Sequence, residues 1–344
     1  MLKFFHICTF ILLSIYYAFS APAYHGLFTE KLSNGDSLNY YVRGNETVHY
    51  FLSTDGYTLL QDSSNNFVYA SLNEDNHLVP SSILAKNEEQ RTEEDWLFLQ
   101  QTEKYLSFHP EQLKKINSRE LSIATSKKAK QHTPFSPTSF LGSPPQLVIL
   151  VSFQDQDFVV EQTQETFSRL LNEENFSDFN ATGSVRDYFI ESSYGQYSPI
   201  FDVVGPFTLS QNTSYYGANY LGEDIRPREM IIEACELASQ AGVDFSIYDT
   251  NNDGYINYVY VIYAGNNEAE NPSKSQLIWP HSWDIGNKNT SFDGKILFNY
   301  ACSSELRGAG ITAQSISTIG TFCHEYSHVL GLPDLYHTTS PLTF

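Results

Sequence analysis

Basic side chains are scarce in this 344-residue sequence: 20 Lys and Arg stand against 40 Asp and Glu, for a formal charge of −20. Such a surface repels polyphosphate backbones and anionic membrane faces, which argues against nucleic-acid binding and leaves a solvated acidic exterior. Cysteine is sparse too. Cys8 lies in an N-terminal apolar run, so Cys235, Cys302 and Cys323 are left, enough for one disulfide but not for a disulfide framework. Three pairings are open to sequence; Cys302 with Cys323 is preferred because both flank the segment that carries the candidate site. Apart from the first twenty residues, no stretch is long and apolar enough to span a bilayer. With 41% hydrophobic and 15% aromatic residues the chain has the means to fill real cores, which excludes global disorder.

That single long apolar run, MLKFFHICTFILLSIYYAFS, has Lys3 ahead of it and ends with Ala18 and Ser20, small residues where a signal peptidase reads. Residues 1–20 therefore read as a cleaved secretory signal, which predicts an extracellular protein with no stable membrane span. N-x-S/T sequons at Asn45, Asn175, Asn180, Asn212 and Asn289 agree with export and with a glycoprotein.

From residue 21 to about residue 70 short aromatic and β-branched runs alternate with turn signals such as Asp55-Gly56 and Asn65-Asn66, which predicts a small antiparallel sheet. Helical spacing follows between about Asn87 and Leu121. Ser, Thr, Lys and Pro then dominate residues 122–145, including Lys127, Lys128 and Lys130, and this composition predicts a linker. The lysines suit either a processing site or a merely solvated basic patch.

A second unit, residues 146–344, opens with QLVILVSF, a continuous apolar run suited to a strand buried on both faces. Ser184 is placed to cap a helix VRDYFIESSYG, Pro227 to Gly242 reads as an amphipathic helix closed by glycine, and Tyr258 to Tyr263 reads as a strand. Alternating strands and helices predict an α/β (α+β) fold, a twisted sheet backed by helices.

The segment STIGTFCHEYSHVLGLPDLYH, Ser317 to His337, carries the chemistry. Ser317 or Thr318 can cap a helix whose apolar face runs through Ile319, Phe322, Cys323, Tyr326, Val329 and Leu330. His324 and His328, one turn apart, point to one side and can share a cation as tetrahedral zinc requires. Glu325 sits where a carboxylate can act as general base toward a zinc-activated water. Gly331 can adopt the left-handed conformation that turns the chain back, so that Asp334 supplies a third, oxygen ligand; His337 competes for that role.

The stretch IGTFCHEYSHVLGLPDLY resembles the active-site signature of the immune inhibitor A family of secreted metalloproteases, a metzincin-like group whose long zinc motif ends in Asp. The resemblance extends through GSVRDYFIESSYGQYSPIFDVVGPFTL, YDTNNDGYINYVYVIYAG, IWPHSW and YACSSEL, and APAYHG with STDGYTLL resembles the family's pro-segment. It implies Zn2+ at His324, His328 and Asp334, Glu325 as catalytic base, a β-rich pro-region over residues 21–121 and protein or peptide substrates. Such enzymes place a methionine-containing turn beneath the zinc, whereas the methionines here are Met1 and Met230, so either a C-terminally truncated catalytic domain or a defective relative is expected.

Asp249, Asn251, Asp253 and Asn257, with Gly254 at the turn, match positions 1, 3, 5, 9 and 6 of a calcium loop, but Tyr260 stands where the bidentate Glu belongs. The loop reads equally as a structural Ca2+ site or as a polar turn. His281, between Trp279 and Trp283, reads as a packed aromatic corner rather than a cleft residue, and Tyr336 as a neighbour of the zinc site with no assignable role. The pro-region has no cysteine, which excludes latency through a propeptide thiolate. The expected function is secreted zinc-dependent endopeptidase; the alternatives are a non-catalytic zinc- or calcium-binding secreted protein and a calcium-dependent adhesion module.

Overall fold

The computed structural model describes residues 26–32, 35–44, 49–62, 64, 66–113, 141–220, 223–286, 290–308 and 315–332. The signal sequence, most of the 122–145 segment, Asn45, Asn289, Asp334, Tyr336 and His337 lie outside these residues.

The first unit is a six-stranded antiparallel meander: β1 (Phe28–Lys31), β2 (Ser37–Gly44), β3 (His49–Ser53), β4 (Thr58–Gln61), β5 (Phe67–Leu72) and β6 (Leu78–Leu84), each pairing with the next. One face buries Tyr40, Phe51, Leu59, Phe67 and Tyr69. Helix α1 (Glu93–Leu99) adds Leu99 to that core. Its start is fixed by a reciprocal cap: Thr92 Oγ1 accepts from the Asp95 N–H, and the Asp95 carboxylate accepts from the Thr92 N–H.

The second unit is a five-stranded mixed sheet built from β7 (Pro145–Ser152), β8 (Ile200–Thr208), β9 (Val259–Tyr263), β10 (His281–Asp284) and β11 (Asn299–Ser304), in the order β10-β11-β9-β7-β8. All neighbours are parallel except the edge strand β10, which is antiparallel. Parallel strands need cover on both faces. On one face Leu147, Ile149, Val151, Val259, Val261 and Tyr263 pack with α4 (Pro227–Gln240). The other face takes Val148, Leu150, Tyr260 and Ile262, covered by α2 (Thr163–Asn172), α3 (Val185–Ser192) and α5 (Ile319–Val329). Ser184 caps α3 as its sequence predicts, with Asp187 reciprocating.

This layering corrects the preferred disulfide. Cys302 belongs to the core on the α4 face and Cys323 to the core on the α5 face, so the sheet lies between them; all three cysteines of the second unit are buried free thiols. Asn175, Asn180 and Asn212 are exposed. No helix among the described residues is long and apolar enough to cross a membrane.

The two units share a core. Trp279 and Ala269, from the second, pack among the aromatic residues of the meander, and the His49 ring of β3 stacks on Trp279 at 5.1 Å. Behind that stack lie two carboxyl groups. Glu268 Oε1 is 3.7 Å from His49 Nε2 and accepts from the Asn219 amide, while Asp224 accepts from the Trp279 N–H. Burial holds His49 down to about 4, pushes Asp224 up to about 8 and drives Glu268 upward as well.

A carboxyl raised in the fold stabilises while it stays protonated and loses that contribution as pH climbs from its unfolded value of 3.8 toward 8. The depressed His49 acts in the opposite sense, but only between about 4 and its unfolded 6.5. Between 6.5 and 8 the His49 contribution is complete and that of Asp224 is still being lost. Thermal melts should therefore show stability falling by the order of 1 kcal/mol across that window, and Asp224→Asn should flatten the fall. Parallel curves for the variant and the parent would refute this account.

Candidate metal centre

Helix α5 is positioned by its aromatic face. Phe322 stacks on Tyr260 of β9 with ring centroids 3.8 Å apart, and Tyr326 lies between Phe189 of α3 at 5.0 Å, Phe201 of β8 at 5.5 Å and Tyr258 at 4.9 Å. Tyr326 is wholly buried, and its hydroxyl is in a short hydrogen bond with that of Tyr197. Burial pushes both hydroxyls up, which keeps them as neutral partners. Val329 continues the same stripe, so the helix rests on β11 and α3 along one side.

The periodicity that buries Phe322, Tyr326 and Val329 turns His324 and His328 away from the core, and both rings are half-buried. Their Nε2 atoms are 3.2 Å apart, with ring centroids at 4.7 Å and planes at 83°. His328 Nδ1 lies 2.8 Å from the Leu332 carbonyl oxygen. That carbonyl can only accept, so Nδ1 carries the proton and Nε2 presents its lone pair toward His324. Gly331 has φ of +88°, the left-handed conformation expected where the chain leaves the helix. Glu325 is wholly buried beside His324.

Two imidazole nitrogens on a tetrahedral zinc, each about 2.05 Å from the ion, stand about 3.3 Å apart. The observed separation fits that edge, and the His328–Leu332 contact is the kind of outer hydrogen bond that fixes a ligand tautomer. The donor chemistry thus suits a borderline divalent ion.

The family model for the immune inhibitor A peptidase M6 catalytic domain matches residues 147–341. The chain belongs to this family. The M6 family comprises metallopeptidases, which implies a metal ion. Two curated M6 relatives carry the similarity in detail. The pre-pro-metalloprotease PrtV of Vibrio cholerae serotype O1 (strain M66-2) is 28% identical over 189 residues, covering 47% of this chain and 21% of PrtV. Immune inhibitor A of Bacillus thuringiensis subsp. alesti is 26% identical over 237 residues, covering 56% of this chain and 33% of that protein. The chain therefore spans about a fifth and a third of the length of these relatives.

Other singled-out residues of this M6 domain are occupied within the fold. Asp249 is buried; its Oδ2 is 2.6 Å from Lys295 Nζ, and its carboxylate also accepts from the N–H groups of Asp253 and Gly254. Burial would raise its pKa, but Lys295 and the two N–H donors outweigh that and hold it below the usual range. Asn251 donates to Asp253 and Asn257 to Thr250, while Tyr260 is in the core under Phe322. His281 is buried with Nδ1 2.7 Å from the Trp279 carbonyl and Nε2 2.8 Å from the Tyr300 hydroxyl, and burial holds it down to about 4. It is the packed aromatic corner that its sequence suggests.

Sequence reasoning missed Glu305. This buried carboxylate accepts from the N–H groups of Val159 at 2.7 Å, Val160 at 2.9 Å and Gly265 at 3.1 Å, and its own backbone bonds to Tyr263 and Ser317. It thereby ties together the exits of β7 and β9 and the approach to α5. The only sequence signal is an acidic residue at the end of a buried strand. Burial pushes its pKa up even though all three N–H donors favour the charged form. Glu305→Ala would remove the acceptor of three N–H groups, that of Gly265 buried, and should cost about 1–3 kcal/mol in chemical denaturation. A loss below about 1 kcal/mol would mean that the loops re-pair with water.

Proposed function

We propose that this chain is a secreted zinc-dependent endopeptidase precursor that hydrolyses peptide bonds of proteins. The observation that carries the reading is the 3.2 Å approach of His324 and His328 Nε2 beside the buried Glu325, inside the M6 match. His324 and His328 would hold the zinc, with Asp334 as third ligand and His337 as its competitor; the left-handed Gly331 supports a chain that turns back there. Residues 1–20 would be the signal peptide, 21–121 the pro-region, 122–145 the linker and 146–344 the catalytic domain with a metzincin-like arrangement.

Bound there, the ion supplies Lewis acidity toward a peptide carbonyl and toward water. Glu325 takes a proton from the attacking water and returns it to the leaving amine. Its burial beside His324 keeps it next to where the ion and its water would sit. The His328–Leu332 contact keeps the imidazole in the ligating tautomer through the cycle.

Glu325→Gln should retain stoichiometric zinc and lose casein hydrolysis by about 10³-fold. Chelator-insensitive cleavage, or cleavage by the variant at the parent's rate, would sink the assignment.

For the 249–257 loop we propose that calcium enters only in place of the Lys295 ammonium. Lys295→Met should let millimolar calcium raise the melting temperature of the variant, whereas the parent should not respond. A parent that calcium already stabilises through this loop would contradict that order of events.

A further inference from the structure

Three metal-ligating side chains converge far from α5 in sequence, on the first unit. His77 sits in the turn between β5 and β6; His109 and Glu111 belong to the segment that follows α1. One ligand atom from each lies within 4.8 Å of the others, and the two rings stand 5.5 Å apart. The histidines are half-buried and Glu111 is exposed, which leaves an open side for solvent ligands.

This arrangement is held by other residues. The Asn73 side chain accepts from the His77 N–H, and the Asn73 N–H donates to the His77 carbonyl, closing the turn. The 105–112 segment is fastened to the sheet by the Tyr105 N–H on the Gly56 carbonyl, by the Thr58 hydroxyl on the Leu106 carbonyl, and by Gln112. The Gln112 amide pairs twice with Leu78, the residue after His77, and its Oε1 also accepts from the His109 N–H. One side chain thus sets the spacing of both imidazoles.

We propose that His77, His109 and Glu111 form a second zinc site, which staples the segment leaving the first unit to the β5–β6 turn. Two imidazoles and a carboxylate are a borderline donor set that zinc accepts, with water completing the shell. Ligand atoms around such an ion stand about 3.3 Å apart, so the exposed Glu111 and the two rings close by up to about 1.5 Å when it binds. His109 Nδ1 accepts from the Glu111 N–H at 3.2 Å. Binding through either ring nitrogen gives up that one hydrogen bond and gains a coordinate bond.

The test measures zinc on the full chain, stripped of metal and titrated with zinc chloride, with bound metal counted after gel filtration. His324→Ala/His328→Ala removes the α5 histidines; this background should still bind one equivalent, and adding His77→Ala should abolish it. Glu111→Gln in the same background changes an exposed side chain and leaves the fold intact; it should weaken this zinc at least tenfold. The site does not exist if the background binds no zinc, or if its zinc is indifferent to both His77→Ala and Glu111→Gln. The readout is independent of proteolysis, so it stands or falls apart from the endopeptidase reading.

Discussion

The seating of Phe322 and Tyr326 against β8, β9 and α3 is the contact on which the candidate centre depends. A helix has one rotational setting once a stripe three and four residues apart is committed to a core. Burying Phe322, Tyr326 and Val329 fixes that setting, and His324 and His328 then emerge together on the opposite side with no further instruction. Glu325, one step around from His324, is forced to the border of the buried stripe, where its burial is complete. Its burial and its place beside the two histidines follow from the same rotation.

Much of this was legible because it is local. The i, i+4 histidines, the glycine that ends the helix, the Ser184 cap and the unbroken apolar run of β7 are short-range patterns with short-range causes. The strand between residues 258 and 263 could be read as a strand, but that its alternate residues feed two different cores could not, since that depends on which helices cover each face. The cysteines failed for this reason. Cys302 and Cys323 are 21 positions apart and look like neighbours around one segment, yet a strand residue aimed at one face and a helix residue resting on the other are separated by the sheet itself. Glu305 was invisible because its partners lie some 40 and 146 positions away, and no spacing rule connects a strand-end glutamate to loop N–H groups at that range.

The loop at Asp249 shows how a sequence pattern can underdetermine chemistry. Its oxygens stand at the spacing of a cation loop, and a cationic charge does reach Asp249, but it belongs to Lys295 from another strand. Tyr260, at the position where a calcium loop needs a carboxylate, is committed to the floor beneath Phe322 instead. The demands of the helix seat and those of a full calcium shell compete for one residue, and the seat has it.

The stack of His49 on Trp279 bears on how the two units would come apart. Because the meander and the second unit complete one another's core, the contact between them is a binding surface in its own right, and any covalent connection raises their local concentration across it. A nick in that connection converts a unimolecular contact into a bimolecular one without uncovering either surface. Separation then becomes a matter of dilution and dissociation rate, and a cut molecule and a freed one are kinetically distinct species.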